Sequence, residues 1–179
     1  MSSNATYVKY GYGQVEPNHL SAQRTSQIYA QLPANKEIEM LENGQFVKYD
    51  YAANEVNFEG AGEWMLVYNE VKVYGDSQTD ADFAMIKTNH GGKIYNALGA
   101  ELSEGTVMVP RVFKTNIGDI YTTNCVKETE LAVEDELVVG DDGYLTKTAG
   151  NNAGEMKWQV VKVYNLADGQ PAVKLMRIA

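Results

Sequence analysis

The chain has very little of the residues that build cross-links and metal centres. Its 179 residues include one cysteine, Cys125, and two histidines, His19 and His90. One cysteine excludes a disulfide within the chain and leaves no cysteine cluster for zinc. Neither histidine lies in a metal-ligand spacing, so we expect neither a metal nor any other cofactor. Cys125 is expected to be a small buried residue in a strand.

Long apolar runs and a secretory leader are also missing. No stretch approaches the roughly 20 apolar residues that a membrane-spanning helix needs. The first six residues, MSSNAT, lack the basic and then apolar order of a signal peptide. The sequence therefore predicts a protein that is made and used without secretion, with no membrane partner.

Basic residues are outnumbered, and catalytic signatures are scarce. There are 15 lysines and arginines against 24 acidic residues, which gives a net charge of −9. Such a surface repels phosphate backbones, so we expect no nucleic-acid partner. No nucleophile elbow, phosphate-binding loop or distinct carboxylate pair indicates an enzyme, and we predict that the chain is not one. The acidic loops at residues 75–82 and 140–143 lack the EF-hand order and are interpreted as solvated.

What the chain does contain is a regular alternation of apolar runs and turn residues. Two segments, residues 37–74 and 130–164, resemble each other. NGQFVK at residues 43–48 is echoed by DGYLTK at 142–147, and both segments end on the tetrapeptide VKVY. Strands every 8–12 residues with turns between them predict a mainly β protein, an antiparallel β-barrel or sandwich.

Turns and alternation also predict hairpins and a core. We expect hairpins at Asn43-Gly44, at residues 140–143 and at residues 167–170. The apolar alternation around the two tryptophans predicts a structural core that recurs in both segments. Its expected buried members are Trp64, Val71, Val73, Trp158, Val161 and Val163.

The first 36 residues differ from the rest because they are polar and poor in aliphatic side chains. We predict that residues 1–36 form an extended N-terminal arm and that residues 37–179 form the β-rich domain. A thin apolar pattern suggests one helix in the arm, capped by Asn18 and ended by Pro33. The arm's tyrosines have the profile of interface anchors. They are Tyr7, Tyr10 and Tyr12.

Three stretches of the chain resemble structural proteins of tailed bacteriophages. They are residues 108–113 (MVPRVF), 118–124 (GDIYTTN) and 136–145 (ELVVGDDGYL). The group they resemble most is the capsid decoration, or cement, proteins. That resemblance implies a small, β-rich, non-catalytic virion protein with an extended N-terminal arm.

The resemblance also implies a location and partners. Such a protein is made in the host cytoplasm and binds the outside of a phage capsid. There it stabilises contacts between subunits of the major capsid protein, beside neighbouring copies of itself. The capsid-interacting residues would then be the arm tyrosines.

Two other functions stay open. One is another phage structural role, as a head-fibre base, tail or baseplate component. The other is a carbohydrate-binding or adhesin module that uses exposed tyrosines and tryptophans. Glycan binding is expected to require Trp64 or Trp158 to be exposed beside polar groups, whereas a decoration role predicts that both are buried in strands.

Overall fold

The described part of the chain consists of short strands joined by turns. The computed structural model describes residues 5–6, 9, 11–69, 84–86, 93–95, 98, 101–104, 108–151 and 156–179. The elements are β1 (Ala5–Thr6), β2 (Val15–His19), α1 (Ala22–Thr25), β3 (Ile28–Tyr29), β4 (Met40–Glu42), β5 (Phe46–Asp50), β6 (Glu55–Asn57), β7 (Trp64–Val67), β8 (Ala84–Ile86), β9 (Lys93–Tyr95), β10 (Glu101–Glu104), β11 (Val112–Phe113), β12 (Ile120–Thr123), β13 (Glu130–Leu131), β14 (Glu136–Val139), β15 (Leu145–Thr146), β16 (Lys157–Asn165) and β17 (Pro171–Arg177).

Two antiparallel sheets form the body. A five-stranded sheet has the order β3-β11-β7-β5-β6, and a six-stranded sheet has the order β15-β14-β16-β17-β12-β2. The remaining strands form three pairs, β1 with β13, β4 with β8 and β9 with β10. The predicted mainly β, antiparallel fold is confirmed. Within the described residues the sheets stay open and give a sandwich-like arrangement, not a closed barrel.

The main core lies between the two sheets. The five-stranded sheet contributes Phe46, Leu66 and Phe113, which are fully buried. The six-stranded sheet contributes Trp158 and Tyr121, whose rings meet edge to face with centroids 5.0 Å apart. Alternate residues of each strand point inward, as expected when two sheets pack face to face.

A second core covers the outer face of the five-stranded sheet. Val47 and Val67 point to this side, where Leu32, Leu41 and Met108 pack against them. All four residues of β7 are consequently buried. This burial on both faces explains why β7 reads as a continuous apolar run and does not alternate with polar residues.

Two of the predicted hairpins are confirmed, and one is wrong. The turns at residues 140–143 and 167–170 join β14 to β15 and β16 to β17. At Asn43-Gly44 the chain does turn, with the Gln45 amide donating to the Glu42 carbonyl at 3.2 Å. Only Gly44 has a positive φ (95°) there, which is a type II turn. Its twist does not suit a hairpin, and β4 and β5 join different sheets.

The predicted core is partly correct. Trp64 and Trp158 are buried at 3% and 0% exposure, whereas Val161 and Val163 are only half-buried. Trp158 and Val160 point inward by simple alternation, so Val161 has the opposite phase. The register with β17 then shifts between Val160 and Lys162, which places Val163 opposite buried Val173, and Val163 packs against the main core while half-buried. Val71 and Val73 lie outside the described residues.

The echoed segments do not occupy equivalent places. Strand β5 lies inside its sheet between β6 and β7, whereas β15 is an edge strand beside β14. The two similar turns instead touch each other, because the Phe46 amide donates to the Gly143 carbonyl at 2.7 Å. The Gln45 side chain also donates to the Asp142 carbonyl at 3.0 Å.

The N-terminal segment is extended, as predicted, but it is not separate from the body. Strand β2 forms an edge of the six-stranded sheet through β12, and β3 pairs with β11. Leu20 and Ala22 are buried in the main core. The predicted boundary after residue 36 therefore does not divide two units in the described part. An edge strand is held by backbone hydrogen bonds more than by aliphatic side chains. A polar segment can therefore form an edge strand.

The predicted helix is also much shorter than expected. It covers only Ala22–Thr25 and ends at Ser26, whose φ is 57°. Asn18 lies in β2, where its side-chain oxygen accepts a hydrogen bond from Thr122 at 2.6 Å. No helix in the described ranges is long and apolar enough to span a bilayer.

Candidate functional site

Of the three predicted interface tyrosines, the structure describes one. Tyr7 and Tyr10 lie outside the described residues. Tyr12 is half-buried, and its carbonyl oxygen accepts a hydrogen bond from the Asn124 side chain at 3.3 Å. The structure therefore attaches the backbone at Tyr12 to the body and leaves the predicted capsid contact of all three tyrosines as a prediction.

A buried carboxylate anchors the N-terminal segment. Glu42, at the end of β4, is 3% exposed. Its oxygens accept hydrogen bonds from Lys9 Nζ at 2.6 Å, from the Gly13 amide and from the Tyr144 hydroxyl at 2.7 Å. One side chain thus joins the N-terminal segment to β4 and to the β14–β15 hairpin. A buried charge with a cationic partner and further donors is stably accommodated.

The groups around Glu42 are suited to a structural role and not to a catalytic one. Burial, followed by the nearby Glu42 charge, raises the pKa of the Cys125 thiol well above its ordinary value. Burial and the hydrogen bond to Glu42 likewise raise the pKa of Tyr144. Both groups stay neutral at physiological pH, so the thiol is a poor nucleophile. A Cβ at Gly13 would overlap the Asn43 carbonyl oxygen, which shows how little space remains around the carboxylate.

A second feature is an open cleft of about 410 Å³, here named the tyrosine groove. Tyr29 comes from β3, Tyr49 from β5 and Tyr51 from the turn that follows β5. Their rings form a row in which neighbouring centroids lie 5.5 and 5.7 Å apart, each tilted by about 60°. Tyr51 is 70% exposed, whereas Tyr49 is 2% exposed. The complete lining is Tyr29, Tyr49, Asp50, Tyr51, Ala52, Ala61, Gly62, Glu63, Met65 and Lys114.

Fixed charges of both signs lie at the rim of the tyrosine groove. Glu63 pairs with Lys114 at 3.3 Å and with Arg177 at 3.0 Å. Asp50 accepts hydrogen bonds from the Ala52 and Ala53 amides, each at 3.0 Å. The Ala53 amide is the main cause that lowers the Asp50 pKa, so this carboxylate is ionised at neutral pH.

A second cleft, of about 330 Å³, is lined by acidic residues. Its carboxylates include Glu37, Glu55, Glu59 and Asp141. Glu55 accepts a hydrogen bond from the Asn35 side chain at 2.6 Å. In the described ranges, no three or more histidine, cysteine, aspartate or glutamate side chains are arranged to hold a metal ion.

The structure describes some of the other polar residues that the sequence analysis considered. His19 is exposed in β2. Cys125 is fully buried, as expected, but it follows β12 and does not lie in a strand. Asp142 forms an ion pair with Lys127. His90 and the acidic loop at residues 75–82 lie outside the described residues.

Sequence reasoning missed both the Glu42 anchor and the tyrosine groove. Tyr49 and Tyr51 are two residues apart, and that spacing on a strand is a usable signal for one shared face. Nothing in the sequence connects them with Tyr29, which was assigned to a separate arm. Glu42 follows two apolar residues and precedes a turn, a position typical of exposed carboxylates.

Comparisons with known proteins do not identify a family. No protein-family model, no curated protein and no solved structure matches the chain.

Proposed function

We propose that this chain is a structural protein of a tailed-bacteriophage virion. In this role it binds the outside of the capsid and stabilises contacts between subunits of the major capsid protein. The proposal starts from the three resembling stretches. They occupy the framework of the sandwich: β11 with the residues before it, β12, and the β14–β15 hairpin.

The observation that carries the proposal is the arrangement of the N-terminal segment. It crosses the body in an extended form: Lys9 and Gly13 bind Glu42, and β2 and β3 then form edge strands of the two sheets. An edge strand is paired on one side only, so its other side is available to a neighbour. A body with two cores supplies the rigidity that a bridge between capsid subunits requires.

The mechanism would be mechanical. Packed DNA strains a capsid outward, and a bridging protein adds contacts that must break before the shell opens. Individual contacts are modest, but many copies on a symmetric lattice act together. A protein that binds only the expanded lattice stabilises that state by mass action. The net charge of −9 keeps the protein away from DNA and favours an exterior position.

The test is co-sedimentation of the full chain with empty, expanded heads of the phage that encodes it. Unexpanded heads and double-stranded DNA serve as parallel controls. We expect saturable pelleting with expanded heads only. Raising the salt concentration should slow capture and leave dissociation little changed, because rim charges act mainly on the association rate. Retention on DNA at physiological salt, or no pelleting with expanded heads, would contradict the proposal.

A truncation separates the role of the N-terminal segment from that of the body. Deleting residues 1–8 removes Tyr7 and the two-residue strand β1, which pairs only with β13 in the described part. It keeps Lys9 and the Glu42 anchor, so the folded body should remain. We expect weaker attachment to heads with little change in thermal unfolding. Deleting residues 1–36 is unsuitable, because it also removes β2, β3 and buried Leu20.

The other virion roles and the carbohydrate-binding role remain alternatives. Trp64 and Trp158 are both buried, so the tryptophan exposure that glycan binding was expected to require is not found. The tyrosine groove is the specific observation that favours the carbohydrate alternative.

A further inference from the structure

We propose that the tyrosine groove binds a neutral carbohydrate, an inference that stands independently of the proposed capsid role. The cleft measures about 410 Å³, within the roughly 300–1,000 Å³ of small-ligand sites. Like such sites, it combines aromatic side chains with a few polar groups. Tyr51 is exposed and Tyr29 is half-buried, so these two rings carry the accessible aromatic surface, while Tyr49 is buried.

The row of rings suits the apolar face of a sugar. Tyr49 is held in place because its hydroxyl accepts a hydrogen bond from the Gln31 amide at 3.2 Å. Tyr29 and Tyr51 pack on its two sides, so the row passes from the core to a ring that is 70% exposed. An aromatic ring offers apolar area at low entropic cost, and its polar tip stays wet. The C–H face of a pyranose presents a matching flat, apolar surface.

Small residues form part of the lining of the groove. They are Ala52, Ala61 and Gly62, and a Cβ at Gly62 would overlap the Tyr49 carbonyl oxygen. Glycine is therefore needed for β5 and the loop before β7 to approach each other. The small side chains at these three positions leave space in the cleft.

The rim distinguishes a sugar from a proline-rich peptide, the other common occupant of a tyrosine-lined groove. Asp50 and Glu63 line the groove as charged acceptors and already have partners, the Ala52 and Ala53 amides and the cations Lys114 and Arg177. A carboxylate has further lone pairs, and a sugar hydroxyl can donate to them without displacing these partners. Proline has no amide hydrogen and brings no such donor. The carboxylates and the net charge of −9 disfavour an anionic glycan.

Binding can be measured on the full chain by saturation-transfer NMR and by titration of protein chemical shifts. The probes are cellohexaose, maltohexaose and chitohexaose, with decaproline and heparin as the competing chemistries. We expect saturable binding of at least one neutral oligosaccharide, with the shift changes confined to the groove. Decaproline and heparin should not bind there.

Matched variants locate the site. Tyr51→Ala should weaken binding about fivefold, since a stacked ring contributes on the order of 1 kcal/mol. Tyr51→Trp should retain it. The control is Ile117→Ala, because Ile117 is 71% exposed at another turn. Both exposed positions tolerate truncation, so folding should be unchanged.

Three outcomes would overturn the inference. The first is no binding of any of the three oligosaccharides at about 10 mM, which leaves under about 3 kcal/mol of affinity. The second is binding that Tyr51→Ala leaves unchanged. The third is decaproline binding in the groove without sugar binding, which would assign the groove to a peptide. None of these results depends on whether the protein binds capsids.

Discussion

Replacing Tyr121 by phenylalanine should stabilise this protein. The Tyr121 ring is fully buried between the two sheets, against Trp158 and Phe46. Within the described residues its hydroxyl has no hydrogen-bond partner. Burial, the main cause, raises the Tyr121 pKa well above its ordinary value. The folded state thus holds a desolvated donor and acceptor that water would satisfy in the unfolded chain.

The magnitude follows from two opposing contributions. An unsatisfied buried polar group costs about 1–3 kcal/mol. Removing the oxygen leaves a void smaller than the roughly 30 Å³ of one liquid water, which at about 24 cal/mol per Å³ costs under about 0.7 kcal/mol. Tyr121→Phe should therefore raise the free energy of unfolding by about 1 kcal/mol. For a chain of this size that is about 2–4 °C in Tm.

Tyr144→Phe is the matched control, because it removes a hydroxyl that does have a partner. The Tyr144 hydroxyl donates to the buried Glu42 carboxylate at 2.7 Å. Losing a hydrogen bond to a charged group should lower the free energy of unfolding by about 1.5–3 kcal/mol. The same substitution thus has opposite signs at the two positions.

Urea unfolding followed by tryptophan fluorescence suits both variants, since Trp158 contacts the Tyr121 ring. The m-value should stay constant, which would show that only stability changed. A Tyr121→Phe variant less stable than the parent by more than about 1 kcal/mol would refute the reasoning. That result would mean that the hydroxyl is satisfied in solution.

Three further predictions concern the turn contact, the anchor and the thiol. Gly143→Ala should destabilise the protein by about 3 kcal/mol, because the φ of Gly143 is 79° and a Cβ there would overlap the Phe46 carbonyl oxygen. The control is Gly169→Ala, since Gly169 has a φ of 86° but open space around its Cβ position. In the same urea assay this control should lower the free energy of unfolding by only about 1 kcal/mol. Lys9→Ala should lower the unfolding free energy by about 1–3 kcal/mol, because Glu42 loses its cation; an unchanged urea midpoint would contradict the anchor. Burial raises the pKa of the Cys125 thiol in the folded state above its value in the unfolded chain, so the unfolded state ionises first as the pH rises above about 9. The stability that the neutral thiol contributes is therefore complete below about pH 9 and is lost as the pH rises toward the folded-state pKa. Cys125→Ala should accordingly flatten the alkaline decline by up to about 1.4 kcal/mol per pH unit, and identical pH profiles would contradict this.

Local sequence signals predicted the fold class and the later hairpins, because the information lies within a few residues. Glycines at positions 143 and 169 adopt the left-handed conformations that their turns require. Asn43-Gly44 carries an equally strong hairpin signal. There the turn forms, but the choice of partner strand depends on burial of β4 and β5 in different layers, which no local pattern encodes.

Other errors came from effects that act at a distance. Trp158 and Val160 set the inward phase of β16, which excludes Val161, and the register shift after Val160 places Val163 opposite buried Val173, where it is only half-buried. The segment before residue 36 was separated because it lacks aliphatic residues. Its place in both sheets depends on hydrogen bonds to strands far away in the chain. The tyrosine groove unites rings from both sides of that supposed boundary.

The pairing of β2 with β12 also has a consequence for synthesis. Asn18 and its partner Thr122 are 104 residues apart. At the roughly 5–20 residues per second of translation, β2 waits about 5–20 s after it is made before its partner exists. The six-stranded sheet can therefore close this edge only late on the ribosome. During that interval β2 presents unpaired amides to the solvent. Pro17, which has no amide hydrogen, limits their pairing with other nascent chains.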